Sequence, residues 1–112
     1  MKRYCLALDL IDDSALIAAY EDWHQRIPGE IKKSITDAGI TSMEIYRIGN
    51  RLFMIMETTE AFSFDQKTEM DNSNPAVQNW EEMMWKYQQP LPFAKQGEKW
   101  LLMNKIFDLD KN

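Results

Sequence analysis

The only histidine of this 112-residue chain, His24, lies one helical turn after Tyr20 in the stretch AAYEDWHQRIPGEI. Histidine is the side chain best suited to give and take a proton in acid/base chemistry. His24 could be a packed core residue, a metal ligand or an acid/base catalyst. A metal site built on imidazole and thiolate ligands is excluded, because the chain has no second histidine and a single cysteine, Cys5. The core and the catalytic interpretations both stay open on these residues alone.

The residues that follow the histidine interrupt its helix. Pro28 cannot donate a hydrogen bond to the carbonyl of His24, and its ring crowds that carbonyl. Gly29 weakens the helix further. We therefore expect the chain to kink or restart beside His24, which would open space for a ligand. A helix that only bends around a core would show the same pattern.

Apolar periodicity predicts the first half of the fold. Alternation over residues 3–10 predicts a strand, and helical spacing over residues 14–38 predicts a long helix that ends at Gly39. The segments TSMEIYRI and RLFMIMET then read as two strands. Gly49-Asn50 between them is typical of a tight hairpin turn.

A second helical region is predicted over residues 63–87, with an interruption at 71–75. Asn74 can cap a new helix there, and Pro75 can take its first position. The segment KWLLMNKIFDL is predicted to form the last strand.

The resulting order, βαββαβ, is that of the ferredoxin-like α+β fold, and the length fits a single domain over residues 1–112. Every position from Leu52 to Met56 is apolar, although a sheet with one face in water would alternate. We therefore expect a homodimer whose sheets pack face to face, forming a dimeric α/β barrel. Alternation does not decide whether Met43 or Glu44 faces the helices.

The composition limits the classes of partner that the chain is expected to bind. The net charge of −5 disfavours nucleic acid and anionic membranes, and no run of about 20 apolar residues could span a bilayer. The start MKRYCLALDLIDD does not look like a signal peptide, and a single cysteine cannot form an internal disulfide. We expect a cytoplasmic protein that binds a small molecule.

Several short motifs, taken in their order along the sequence, resemble those of the L-rhamnose mutarotase family. They are Tyr20-x-x-x-His24, Ile27, Glu30, Gly39, Ile45-Tyr46, Leu52-Phe53 and Gln78-x-Trp80, and the similarity runs from the first strand to about Pro92. The resemblance implies a small dimeric protein of ferredoxin-like α/β-barrel fold. It also implies that His24 is the proton donor and that Tyr20 and Trp80 contact a sugar.

The chain departs from the rhamnose members at three places. Met43 stands where they have a sugar-contacting tyrosine, Glu81 where they have a second tryptophan, and Pro28-Gly29 where they have Trp-Pro. The stretches MEIYRIGNRLFMIME and MMWKYQQPLPFAK are closer to a branch assigned to L-fucose. With Tyr20 and Trp80, the candidate substrate-binding residues are therefore Met43, Tyr46 and Glu81.

The function that the resemblance implies is an isomerase, a mutarotase that interconverts the α and β anomers of L-fucose or L-rhamnose. General acid/base catalysis would suffice for this reaction, with no metal and no cofactor. Two other interpretations stay open, because one fold serves many functions. The first is a haem-degrading or quinone-forming monooxygenase, in which His24 would ligate haem and Trp80 would form the pocket wall. The second is a non-catalytic module that senses a sugar.

Overall fold

The computed structural model describes residues 1–111 and confirms the ferredoxin-like α+β fold. Along the chain, the elements are β1 (Lys2–Leu10), α1 (Ser14–Gln25), α2 (Gly29–Asp37), β2 (Ile40–Ile48), β3 (Arg51–Thr58), α3 (Phe64–Asn72), α4 (Pro75–Met84), β4 (Gln88–Gln89), β5 (Leu101–Leu102) and a 3₁₀ turn at Leu109–Lys111. The antiparallel sheet has the order β2-β3-β1-β4, and β5 also pairs with β1. Within residues 1–111, no helix is long and apolar enough to cross a membrane.

The predicted long helix is two helices, and the chain restarts beside His24 as expected. The side chain of Asp13 caps α1 by accepting hydrogen bonds from the backbone N–H groups of Ala15 and Leu16, both at 3.0 Å. The helix ends at Gln25, and α2 begins after Pro28, which is its N-cap residue. A proline has no N–H to continue the ladder, so His24 lies in the last turn of α1.

The break between α3 and α4 is also where the sequence predicts it. Asn74 caps α4 by accepting from the N–H groups of Ala76 at 3.1 Å and Val77 at 3.4 Å, and Pro75 takes the first position. The helix ends at Met84 rather than at the predicted residue 87. The N–H of Ile11 donates to the carbonyl of Tyr87 at 2.8 Å, which draws the chain onto β1 after α4.

The prediction of one long last strand is wrong. Two short strands share the free edge of β1: β4 pairs with Asp9 and Leu10, and β5 pairs with Leu6 and Ala7. The chain then leaves the sheet, and Ile106 is almost fully exposed. β4 already pairs with Asp9 and Leu10 and therefore blocks the start of the predicted strand, whereas its later part leaves the edge after the Met103 N–H donates to the Cys5 carbonyl at 2.8 Å.

The hairpin between β2 and β3 sets which side chains face the helices. Gly49 has φ +57°, the left-handed conformation that this tight turn requires. The register pairs Met43 with Met56 on the helix-facing side, and Glu44 with Ile55 on the other side. The question left open between Met43 and Glu44 is thus resolved in favour of Met43.

The two faces of the sheet differ in burial. The helix-facing side carries the buried core of the sheet: Leu6, Leu8, Leu10, Leu52, Met54 and Met56. On the opposite side Ala7, Phe53 and Ile55 are only half-buried, and Ile48 is 81% exposed. Apolar side chains therefore remain accessible across the face that the helices do not cover.

Candidate active site

The last turn of α1 fixes the orientation of His24. Its Nδ1 lies 2.8 Å from the backbone carbonyl oxygen of Tyr20, one turn earlier. A carbonyl oxygen can only accept, so Nδ1 carries a proton and donates this bond. Nε2 is then the nitrogen that can exchange a proton with a ligand.

Two aromatic rings pack against the imidazole of His24. The ring of Tyr20 lies 4.3 Å from that of His24 between centroids, with a 34° tilt, and the ring of Trp80 lies 5.8 Å away in an edge-on arrangement. Trp80 in turn contacts Trp23 edge to face at 6.1 Å. This packing limits the imidazole to few orientations.

Tyr20 is a buried support of this arrangement. Only 3% of the residue is exposed, and burial raises the pKa of its phenol, an effect that a hydrogen bond from Gln88 partly offsets. The amide Nε2 of Gln88 lies 3.5 Å from the Tyr20 hydroxyl. Tyr20 is therefore a neutral phenol at physiological pH, packed beside His24.

A cavity of about 560 Å³ lies between the sheet and the helices, and His24 and Tyr20 are part of its wall. Met43, Trp80 and Glu81 line the same cavity, so the structure brings together five of the six predicted site residues. Its size is in the range of small-molecule sites, which combine apolar walls with a few polar groups. The apolar part of the wall comes mainly from Leu6, Ile31, Ile35, Ile45, Met54 and Met56.

Tyr46 is the predicted site residue that does not line the large cavity. It pairs with Phe53 on the face of the sheet that points away from the large cavity, and 53% of it is exposed. It lines a second cavity of about 390 Å³, together with Glu21 and Arg47. At this second cavity, the Arg47 Nε donates to Glu21 Oε1 at 2.6 Å. The two cavities share Tyr20, His24 and Ile45.

Three charged residues of the large cavity were not found from the sequence: Lys67, Asp71 and Lys99. The Lys67 Nζ and Asp71 Oδ2 form an ion pair at 2.5 Å on α3. The i,i+4 spacing of the pair is visible in the sequence, but it is equally typical of a surface helix. Nothing in the sequence indicates that Lys99 reaches this site from the loop before β5.

Lys99 lies close to α4. Its Nζ donates to the backbone carbonyl of Glu81 at 3.1 Å and lies 4.6 Å from the centre of the Trp85 ring. Burial lowers the pKa of Lys99, and the nearby charge of Glu81 partly opposes that shift. With Lys67, Asp71 and Glu81, the cavity wall carries two cations and two anions, a balance that suits an uncharged polar ligand.

Gln88 was also missed from the sequence. It is only 6% exposed, it lines the cavity, and its Oε1 has no hydrogen-bond partner among residues 1–111. Within the same residues, no group of three or more histidine, cysteine, aspartate or glutamate side chains is placed to hold a metal ion.

Fold and site together define a small ferredoxin-like protein with a ligand cavity between its sheet and its helices. The model of the L-rhamnose mutarotase family matches residues 3–109. An L-fucose mutarotase of Xanthomonas campestris pv. campestris is 42% identical over 113 residues, which cover 99% of this chain and 90% of that protein. The chain therefore belongs to the L-rhamnose mutarotase family and is an isomerase that acts on carbohydrate anomers.

Solved structures agree with the fold. The L-rhamnose mutarotase FA22100 from Formosa agariphila superposes with a TM-score of 0.72 at 18% identity, covering 97% of this chain and 99% of that one. A dimeric ferredoxin-like protein from an uncultured marine organism superposes with a TM-score of 0.51 at 12% identity, covering 84% and 91%. The family membership favours the mutarotase over the oxygenase and sensor alternatives.

Proposed function

We propose that this protein interconverts the α and β anomers of L-fucose, with His24 as its acid/base catalyst. The observation that carries the proposal is the tautomer of His24: Nδ1–H is held by the Tyr20 carbonyl, and the proton-exchanging Nε2 belongs to a residue of the cavity wall. The 42% identical relative named as an L-fucose mutarotase supports the choice of sugar. Met43 and Glu81, at two of the three places where the chain departs from rhamnose members, both line the cavity.

Mutarotation requires two proton transfers and no redox step. The ring oxygen of the pyranose gains a proton while the anomeric hydroxyl loses one, and the C1–O5 bond opens to an aldehyde. Rotation about C1–C2 turns the other carbonyl face to the O5 hydroxyl, and ring closure returns both protons. With Nδ1–H held by the Tyr20 carbonyl, Nε2 of His24 can supply the proton to O5 when both ring nitrogens are protonated and can take it back on closure, while a water molecule takes up and returns the proton of the anomeric hydroxyl.

The other predicted residues have different roles. The indole of Trp80 offers an apolar surface to one face of the sugar, and the Glu81 carboxylate can accept a hydrogen bond from a hydroxyl. Tyr20 orients the imidazole through ring packing at 4.3 Å. Met43 gives the sheet side of the cavity an apolar contact. Tyr46 has no part in this cavity, and we assign it no contact with the sugar there.

We further propose that residues 1–112 act as one domain and that two copies form a homodimer in the cytoplasm. The uncovered sheet face, with Phe53 and Ile55 at its centre, supports the dimer, because a monomer rarely leaves a large apolar patch in water. The single cysteine, Cys5, supports a reducing compartment.

NMR saturation transfer between the anomer signals tests the function, with L-fucose and L-rhamnose measured separately. Wild-type protein is expected to accelerate exchange, more for L-fucose. His24→Ala is expected to lose about 10²–10⁴-fold of the acceleration, the usual contribution of general acid/base catalysis. Gln25→Ala, the exposed neighbour on α1, is the matched control and is expected to retain activity.

Two results would contradict the proposal. Full acceleration by folded His24→Ala would remove His24 from the mechanism. No acceleration of either sugar by the wild type would reject the mutarotase, and a haem titration followed by Soret absorbance would then test the oxygenase alternative.

A further inference from the structure

The ion pair of Lys67 and Asp71 on α3 forms part of the cavity wall that also contains His24. The side chains are only 23% and 13% exposed, and Nζ and Oδ2 are 2.5 Å apart. Removing two charges from water costs free energy that the ion pair by itself often fails to recover. An ion pair kept in this position therefore calls for a role beyond stability.

The chain contains a second pair of the same type that serves as a reference. Lys33 and Asp37 on α2 have the same i,i+4 spacing and a 2.7 Å contact, but their side chains are 75% and 48% exposed. Such surface pairs contribute little to stability. Burial against the cavity is what distinguishes Lys67 and Asp71 from this ordinary helix pair.

The Lys67–Asp71 pair retains unused hydrogen-bonding capacity. Oδ2 of Asp71 accepts from Lys67, and no other hydrogen bond within residues 1–111 reaches the carboxylate. The ammonium has three donors, of which this contact uses one. An acceptor and donors thus stand side by side, which matches two neighbouring hydroxyl groups that give one hydrogen bond and receive another.

We propose that Lys67 and Asp71 select the sugar by binding a cis pair of vicinal hydroxyls; this inference rests on the proposed function. His24 is on α1 and the ion pair is on α3, so a sugar whose ring oxygen faces His24 presents hydroxyls of other carbons to the pair. L-Fucose carries its cis pair at O3 and O4, whereas L-rhamnose carries it at O2 and O3. The pair binds O3 and O4, the hydroxyls of L-fucose that are remote from the anomeric carbon.

The test compares Asp71→Asn and Lys67→Met with the matched variants Asp37→Asn and Lys33→Met. Saturation transfer gives KM and kcat for L-fucose, and calorimetry gives its affinity independently. We expect the α3 variants to raise KM and weaken binding by roughly 10- to 100-fold, as for the loss of a hydrogen bond to a charged group, with a smaller change in kcat. The α2 variants are expected to match the wild type.

A sugar analogue separates recognition from a merely structural effect. With 4-deoxy-L-fucose, which lacks one of the two partner hydroxyls, the double variant Lys67→Met/Asp71→Asn is expected to lose less affinity than it loses for L-fucose, because one of the two interactions is already absent. Asp71→Asn leaves the partly buried ammonium of Lys67 without its ion-pair partner, which destabilises the folded chain. The double variant Lys67→Met/Asp71→Asn removes both charges and provides a folded protein for the same measurements, checked by circular dichroism.

The outcomes distinguish this inference from the proposed function. Unchanged affinity for L-fucose in the folded double variant would overturn the inference, whatever the wild-type activity. So would an equal loss of affinity for L-fucose and for 4-deoxy-L-fucose. Selective loss of binding in the α3 variants, with no anomer exchange by the wild type, would support the hydroxyl-binding pair and reject only the mutarotase.

Discussion

Replacing Ile55 by lysine is expected to separate the proposed dimer while the protomer stays folded. Ile55 lies in the middle of β3, on the sheet face that the helices do not cover, and pairs with Cys5 on β1 and Glu44 on β2. The isoleucine is only half-buried in the protomer. A lysine there lies directly opposite Glu44, and opposite charges in such cross-strand positions are favourable.

The effect on the dimer follows from symmetry and burial. A two-fold interface contains the substitution twice. Full burial of an isoleucine side chain contributes about 1.5–3 kcal/mol, and roughly half of that is already present in the protomer, so two copies lose about 1.5–3 kcal/mol together. Enclosing each lysine charge costs several kcal/mol more. A total of at least about 5 kcal/mol raises the dimer dissociation constant by more than roughly 10³-fold.

Sedimentation velocity across a concentration series measures this dissociation constant. Ile55→Val keeps an apolar side chain and is the matched control, expected to remain dimeric. Circular dichroism confirms that the Ile55→Lys protomer is folded. A folded Ile55→Lys protein that stays dimeric at the same concentrations as the wild type would show that this sheet face is not the interface.

Three further predictions concern the site and its supports. His24→Asn can still donate a hydrogen bond to the Tyr20 carbonyl, but its amide cannot exchange a proton with the sugar. Calorimetry is expected to show retained sugar binding, while saturation transfer shows at least about a 100-fold loss of anomer exchange. Retained exchange would argue against proton transfer by His24. Because burial raises the folded-state pKa of Tyr20, its stabilising contribution is complete below pH 10.0 and is lost as pH rises through the folded-state pKa. Urea denaturation is expected to show that the free energy of unfolding falls between pH 8 and pH 11 in the wild type and in Tyr46→Phe, and falls less in Tyr20→Phe. An equal decrease in all three proteins would contradict this role of Tyr20. Asn74→Ala removes the cap of α4 and is expected to lower the free energy of unfolding by about 1 kcal/mol in urea denaturation, whereas an unchanged midpoint would show that the cap contributes nothing.

Local chemistry made much of the fold predictable. The strands β1, β2 and β3 and the hairpin at Gly49 follow from alternation and from turn residues, and α4 begins where Asn74 and Pro75 predict. The restart beside His24 follows from Pro28, which lacks a backbone donor. These features depend on residues near one another in sequence, so the sequence carries their signal directly.

The last strand shows where such reasoning stops. The apolar run after Lys99 has strand-like composition, yet only Leu101–Leu102 pair with β1. β4 takes the end of the β1 edge at Asp9 and Leu10, which limits where β5 can begin, and nothing in the described residues explains why the strand ends after Leu102. That competition between distant segments has no local signature.

The candidate site also contains residues that the sequence predicted and positions that only the structure revealed. The spacing of Tyr20 and His24 places both on one helix face, and the resemblance to a known family supplied Trp80 and Glu81 as partners. The position of Tyr46 on the far face of the sheet came only from the strand register. A shift of one residue in register moves a side chain from one face to the other, so sequence likeness alone does not decide it.

By itself, the sequence determined the ferredoxin-like order of elements, the family and the histidine that can exchange protons. These features depend on local residue patterns and on short motifs in a fixed order along the chain. Only the tertiary structure decided which nitrogen of His24 is free, that Met43 faces the cavity while Glu44 does not, and that Lys67, Asp71 and Lys99 join the site. Each of those facts depends on packing between α1, α3, α4 and the sheet. Contacts between segments far apart in the chain are set by how the elements assemble, and no single segment encodes them.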